Sequence, residues 1–419
     1  MAIINHNYST KRIILTRSNL ANLLWAVMGL FFPAIMIYWP LFQGVFSSSF
    51  GLLRLFDLYV ILLLCITFIR ALIRGRVPGT DSLILLAGLF LIVLTRFISV
   101  LLSPHASPEL FWSIFRFVEA FALTWVLIAL RATVFERIVV WMLVVITFFE
   151  TFAGIAQVIL SGGTQAGTGL ASGRGIYELQ ILLTLWGLVG LSAGEGSRGM
   201  NSLKVVLGTL GVIVTVLRTA FFQLAIALFV VYWLMPKHGR RIYRLIIILG
   251  TIIVFILVGF VELQWPLMIN RIEQISTMSG TIGVRLVLWQ AAFSAFQLYP
   301  VTGIGSGAFG RNQLFYFDAA GVSFREGYTD EGLSVHNTVL GFLAETGIIG
   351  LVAYFIYAIG IAIIARRLSC AAPTTFNIAL AGTVVSGIII DFIAASSFYP
   401  ITITLVALLA SRYIKQKKA

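Results

Sequence analysis

Charge is scarce in this chain, and cysteine is scarcer still. Only 11% of its 419 residues are Asp, Glu, Lys or Arg, where a soluble globular domain carries roughly 25%. That shortfall excludes an ordinary water-soluble fold. The two cysteines, Cys65 inside an apolar run and Cys370 in a short basic loop, exclude a disulfide framework and a Cys-based metal site, and with them redox chemistry. Acidic residues number 16 against 29 basic ones, and no Asp-rich cluster stands outside the apolar runs. No small-residue cleavage site follows the basic start (Lys11, Arg12, Arg17) and its run through Trp25 and Phe32, so this segment reads as a retained first span.

What the chain has instead is apolar length. With 59% hydrophobic residues and a mean hydropathy of +1.01, it reads as an all-α polytopic membrane protein. Runs long enough to cross the roughly 30 Å hydrocarbon layer number about twelve. They lie near 20–39, 52–73, 82–102, 110–130, 137–160, 176–193, 202–217, 219–235, 242–261, 347–365, 376–396 and 398–414. The pairs 202–217 with 219–235, and 376–396 with 398–414, are joined by almost no loop, and the count turns on them.

Lys and Arg set the orientation. The N-terminus, alternate short loops (Arg70, Arg74, Arg76; Arg131, Arg137; Arg198, Lys204; Lys237, Arg240, Arg241, Arg244; Arg366, Arg367) and the tail (Arg412, Lys415, Lys417, Lys418) are basic. All fall on one side, which the positive-inside rule makes the cytoplasm, with both termini there. The net charge of +13 is therefore a topology signal and an attraction to anionic headgroups of the bilayer. Scattered over short loops, these residues do not form a nucleic-acid surface. Spans one to nine then occupy 1–261, a long external loop 262–346, and spans ten to twelve with a short tail 347–419. The short tail after the last span is expected to leave no room for a C-terminal soluble domain.

The same orientation gathers four more arginines at the outer level: Arg96, Arg116, Arg174 and Arg218. An ionisable group within a span costs at least about 2.5 kcal/mol, so it faces a partner or a cavity. Arg116 has Glu119 one turn away and Arg96 has Glu150 of the fifth span as pairing alternatives; taken together, the four point to an anion site. Asp391, deep in the eleventh span, is a further buried candidate, with a salt bridge or a protonated core residue as its alternative.

The external loop has readable local structure. Leu288, Trp289, Ala292, Phe293 and Phe296 recur at helical spacing from Gly283 to Leu298, with Arg285 in the first turn and Pro300 as the stop. This predicts an amphipathic helix near the membrane surface. Gly303, Gly305 and Gly307 follow; no strand precedes them, which excludes a dinucleotide loop and favours a turn of close backbone approach. The polar, aromatic stretch from Arg311 to Glu331 reads as a cover over a site. Ser334 is placed to cap a helix carrying His336, Leu340 and Leu343. His336 has no second His or Cys at metal-ligand spacing. With cations nearby, its imidazole is suited to accept a proton while they neutralise a departing anion.

The order Arg285, Trp289, Pro300, Gly303-x-Gly305-x-Gly307-x-Phe309, His336-Asn337, Leu340, Glu345-x-Gly347 and Gly350, in an external loop late in a polytopic chain, resembles the O-antigen ligase family. Its superfamily includes O-antigen polymerases and protein O-oligosaccharyltransferases. The motif covers about 65 residues, and the span layout extends the likeness over nearly the whole chain. The resemblance implies a GT-C-type glycosyltransferase without metal or cofactor. It would move O-antigen polysaccharide from undecaprenyl diphosphate to a sugar hydroxyl of lipid A core, at the periplasmic face of a Gram-negative inner membrane. The family's essential histidine maps to His336, its loop arginine to Arg285, and its mid-chain arginine to Arg218. At that last position many relatives have Ser-Arg-Gly, whereas this chain has Leu217-Arg218-Thr219.

These implications fit the chemistry of the residues. A leaving lipid diphosphate needs counter-charge, and arginine forks are what the external side offers. Arg218 and Arg285, helped by Arg174 or Arg116, are expected to hold the diphosphate while His336 acts as base, with inversion at the anomeric carbon. Glu345 is expected to orient the loop. The alternatives are a polymerase, a protein O-oligosaccharyltransferase and, from another class, a solute transporter, for which the span spacing lacks internal repeats.

Overall fold

The computed structural model of the protein describes residues 22–33, 35, 55–74, 83–107, 110–130, 134–161, 176–215, 217–236, 239–240, 243–244, 248, 281–321, 334–393 and 400–417. The described residues form helices and no strands. We number them α1 (Asn22–Pro33), α2 (Leu55–Arg74), α3 (Leu83–Leu101), α4 (Leu110–Ala129), α5 (Val134–Leu160), α6 (Ile176–Ala193), α7 (Arg198–Thr215) and α8 (Arg218–Leu234). Then come α9 (Thr281–Leu298), α10 (Phe309–Ala320), α11 (Thr338–Ala371), α12 (Thr375–Ile390) and α13 (Pro400–Lys417).

The apolar runs expected from 52–73 to 219–235 coincide with α2 to α8, and those at 376–396 and 398–414 with α12 and α13. The run at 242–261 falls outside the described residues, apart from Tyr243, Arg244 and Ile248. Among the described residues four helices, α3, α5, α6 and α11, are by length and composition long and apolar enough to cross a membrane. α8 and α12, at 17 and 16 residues, fall short of the roughly 20 that cross hydrocarbon. Large apolar side chains such as Trp141, Phe149, Phe152, Phe222 and Phe229 lie on the outside, a surface suited to lipid and unsuited to water.

α6 is the central helix. Its apolar stretch is 83% buried, and α5, α7, α8, α12 and α13 surround it. Small residues allow this closeness. A side chain on Gly208 or Gly211 of α7 would collide with Thr184 or Gln180 of α6, and one on Gly187 or Gly190 of α6 with Asn201 of α7. Without a hydrophobic drive between helices in lipid, such close backbone packing is what holds them. α3 runs along α11, and α4 along α13 and α3.

The described part of the expected external loop is docked on the bundle. α9 packs on α10 and α11. Its buried stripe is Leu288, Ala291, Ala292 and Ala295, whereas Phe293 is half exposed, so the amphipathic face differs from the one the aromatic spacing suggested. The alanines win because their small side chains let the helix sit close to its neighbours. With Ile304, Phe309, Tyr316 and Phe317 they form a second core, which reaches Val100 of α3 and Leu110 and Ile114 of α4.

Candidate active site

His336 does not lie on a helix. Its φ is 52°, the only positive φ of a residue other than glycine among those described. The left-handed region is strained for most side chains, and such outliers gather at functional sites. The cap of α11 is Asn337 rather than Ser334: its side chain accepts from the Leu340 N–H at 3.0 Å. Asn in this role satisfies one of the unpaired N–H groups of the first turn, and the reversal just before it turns His336 out of helical register. His336 is half-buried at the entrance to the longest helix of the described structure.

Asp391 fixes that entrance. It sits at the C-terminal end of α12 rather than deep in a span, and it is fully buried. Its carboxylate accepts from Thr338 Oγ1 at 3.0 Å and from the Tyr354 hydroxyl at 2.7 Å, and its backbone carbonyl accepts from the Thr338 N–H at 3.1 Å. Asn337 Nδ2 donates to the Phe392 carbonyl at 2.6 Å. The two residues that follow His336 are thus tied to the end of α12. Removing the carboxylate in Asp391→Ala takes away the acceptor of the buried Tyr354 hydroxyl's 2.7 Å hydrogen bond, and we expect a loss of about 1 to 3 kcal/mol. Thermal unfolding of the purified protein checks this, and Asp391→Asn should recover most of the loss.

Near the base of the polar cluster, Glu178 in the first turn of α6 is buried, and Thr402 of α13 lies 2.8 Å from both of its oxygens. Nothing in the sequence pattern singled out Glu178, Thr338 or Tyr354.

Arg96 occupies a place of its own. It is buried, with its guanidinium carbon 3.8 Å from the ring centre of Phe117 and 4.5 Å from that of Phe342. One nitrogen donates to Ser306 Oγ at 2.7 Å and to Glu345 Oε2 at 2.9 Å. Its partner is Glu345 of α11, and not Glu150. The charge is therefore spent inside the protein on joining α3, the glycine turn and α11, which removes Arg96 from the set of open anion-binding forks.

That junction explains the glycines. Ser99 Oγ donates to the Glu345 carbonyl, as does the Gly305 N–H at 3.1 Å; the Ile304 N–H donates to the Ala344 carbonyl at 2.9 Å. Ser103 Oγ donates to the Ile304 carbonyl, and Ser113 Oγ lies 2.8 Å from the Ser306 carbonyl. Gly303 has φ 68° and Gly347 φ 64°. A Cβ on Gly303 would stand 2.4 Å from the Glu345 carbonyl carbon, and one on Gly347 2.3 Å from the Val301 oxygen. Both positions need the left-handed conformation and the absence of a side chain. Gly347 also breaks α11, so that the turn seats against backbone where the helix kinks. Glu345 orients the loop through its carbonyl as well as its carboxylate.

The remaining arginines differ. Arg285 is half-buried on α9, the helix that packs on α11. Arg116 is exposed on α4. Arg218 opens α8, but its side chain, like the whole of Arg174 and of 322–333, lies outside the described residues. His105, after α3, shares a 2.7 Å hydrogen bond with the Tyr316 hydroxyl of α10, and burial holds its imidazole below the ordinary value. Among the described residues no three His, Cys, Asp or Glu side chains gather to hold a metal. What sequence reading missed had one legible signal: Arg96 and Ser99 stand three residues apart on one face of α3, and Ser103 follows four residues later, just past its end.

Residues 203–355 match the family model described as O-antigen ligase. The match runs from α7 through the docked segment into α11 and includes Arg218, Arg285, His336 and Glu345. No curated protein matches the chain.

Proposed function

We propose, from the match of residues 203–355 to the O-antigen ligase family model, that the protein transfers O-antigen polysaccharide from undecaprenyl diphosphate to a sugar hydroxyl of lipid A core. The reaction takes place on the periplasmic face of a Gram-negative inner membrane and uses no metal. The observation that carries this reading is His336: a histidine in a left-handed conformation, set by Asn337 and Thr338 against Asp391, at the start of the helix on which α9, the helix carrying Arg285, packs.

In the proposed reaction the acceptor hydroxyl oxygen attacks the anomeric carbon of the donor sugar. Its proton passes to the His336 imidazole. The bond from that carbon to the diphosphate oxygen breaks on the opposite side, and the electron pair leaves with undecaprenyl diphosphate, so the anomeric centre inverts. Arg285 and Arg218, with Arg174 or Arg116, neutralise the leaving group as its charge develops. Arg96 supports this group from below through Glu345 and the glycine turn, without touching substrate.

Deleting the gene tests the reading. The expected outcome is loss of long O-antigen from lipopolysaccharide and its accumulation on the lipid carrier. Unlinked, unpolymerised units on the carrier would identify a polymerase instead. With purified protein, chelator treatment should leave transfer intact; restoration by added Mg²⁺ would overturn the metal-free part.

A further inference from the structure

A second feature lies at the opposite, basic end of the bundle. A cavity of about 450 Å³ opens between the C-terminal ends of α8 and α11, lined by Trp233, Arg240, Arg366, Ser369, Cys370 and Pro373 among others, with no carboxylate among the described residues that line it. Arg240 Nε donates to the Met235 carbonyl and Nη2 to that of Trp233, each at 2.8 Å. These bonds fix its fork in place and leave its other N–H groups without a protein acceptor among the described residues. Arg366 is exposed, with its guanidinium 5.8 Å from the ring centre of Trp233. Ser369 is 2% exposed, yet its hydroxyl has no hydrogen-bond partner among the described residues. A buried hydroxyl without a partner calls for a ligand or other explanation.

Two helix C-termini disfavour an anion by roughly half a charge each. Arg240, bonded to the last carbonyls of α8, and Arg366, near the end of α11, each bring a full positive charge, so the sum favours an anion. The surroundings specify what kind. Phe222, Phe229 and Trp233, at 59%, 71% and 59% exposure, recur at seven and four residues along α8, an outward aromatic stripe that leads from the cavity along the bundle. A free anion has no use for that stripe; a phospholipid does.

We propose that this cavity binds the phosphate of an anionic phospholipid of the cytoplasmic leaflet, held by Arg240, Arg366 and Ser369, with an acyl chain lying along Trp233, Phe229 and Phe222. Basic pockets between spans on the cytoplasmic side bind such headgroups. Cys370, exposed at the cavity wall, reports occupancy, and glutathione added to each sample serves as the control for reagent reactivity.

The full-length protein is placed in nanodiscs of phosphatidylcholine with or without phosphatidylglycerol. It is alkylated with uncharged N-ethylmaleimide, and each cysteine is quantified by peptide mass spectrometry. Phosphatidylglycerol is expected to slow alkylation of Cys370 and leave that of glutathione unchanged, with the protection falling about fivefold in Arg366→Gln. Ser369→Ala should weaken it as well. Inorganic phosphate added to phosphatidylcholine discs is the second arm. Protection there that is lost in Arg366→Gln would establish phosphate recognition but assign it to a soluble ligand, overturning the lipid. No protection in either arm, or protection undiminished in Arg366→Gln, overturns the site. The experiment reads no transfer, so its outcome is independent of the proposed reaction.

Discussion

His336→Asn is expected to abolish glycan transfer while leaving the protein folded. The choice of Asn matters, because among residues other than glycine it adopts the left-handed region that His336 occupies at φ 52° with little cost. Ala at the same position adds backbone strain of about 1 to 2 kcal/mol and confounds the two effects. Loss of a positioned base slows a reaction by about a hundredfold to ten-thousandfold, far outside what strain produces through stability. The measurement is transfer from purified lipid-linked donor to lipid A core acceptor, paired with thermal unfolding of the same preparation. A His336→Asn protein that transfers at the wild-type rate would remove His336 from the chemistry.

Arg96→Met is expected to be the most destabilising single change in the outer half of the bundle, by about 3 to 5 kcal/mol, because it strands the Glu345 carboxylate. Arg96 and Glu345 have side-chain exposures of only 7% and 18%, so solvent screens their pairing little. Replacing both, Arg96→Met with Glu345→Leu, should recover much of the stability, since a buried ion pair exchanged for apolar packing is often neutral. The recovery separates two roles. If Arg96 acts only through Glu345 and the Gly303–Gly307 turn, the double variant regains transfer along with stability. A double variant that is stable but inactive would place Arg96 on the diphosphate after all. Survival of a folded population after heating, read by size exclusion in detergent, gives the stability scale.

Several features were legible because they are properties of short runs. Apolar length placed α2 to α8, α12 and α13, since a helix that crosses lipid must satisfy its own backbone and hide no charge without a reason. Helical spacing and Pro300 placed α9. The helix start near His336 was also visible, yet its cap was not: Ser334 and Asn337 are both good capping residues, and only the contacts of Asn337 with Leu340 and Phe392 decide between them. Which face of α9 is buried was likewise undecidable, because Phe293 offers more area and Ala292 a closer approach, and the neighbours determine which counts.

Sequence alone determined that this protein is a helical membrane protein and that Arg285, the glycine turn and His336 belong to one segment. Each follows from composition or from spacing along a single element. Tertiary structure decided the rest: that Arg96 pairs with Glu345, 249 residues away, that Asp391 holds the start of α11, and that Gly303 and Gly347 meet. Partner choice between buried charges depends on which helix ends share a level and a face. That is fixed by packing across the bundle, which no run of residues encodes by itself.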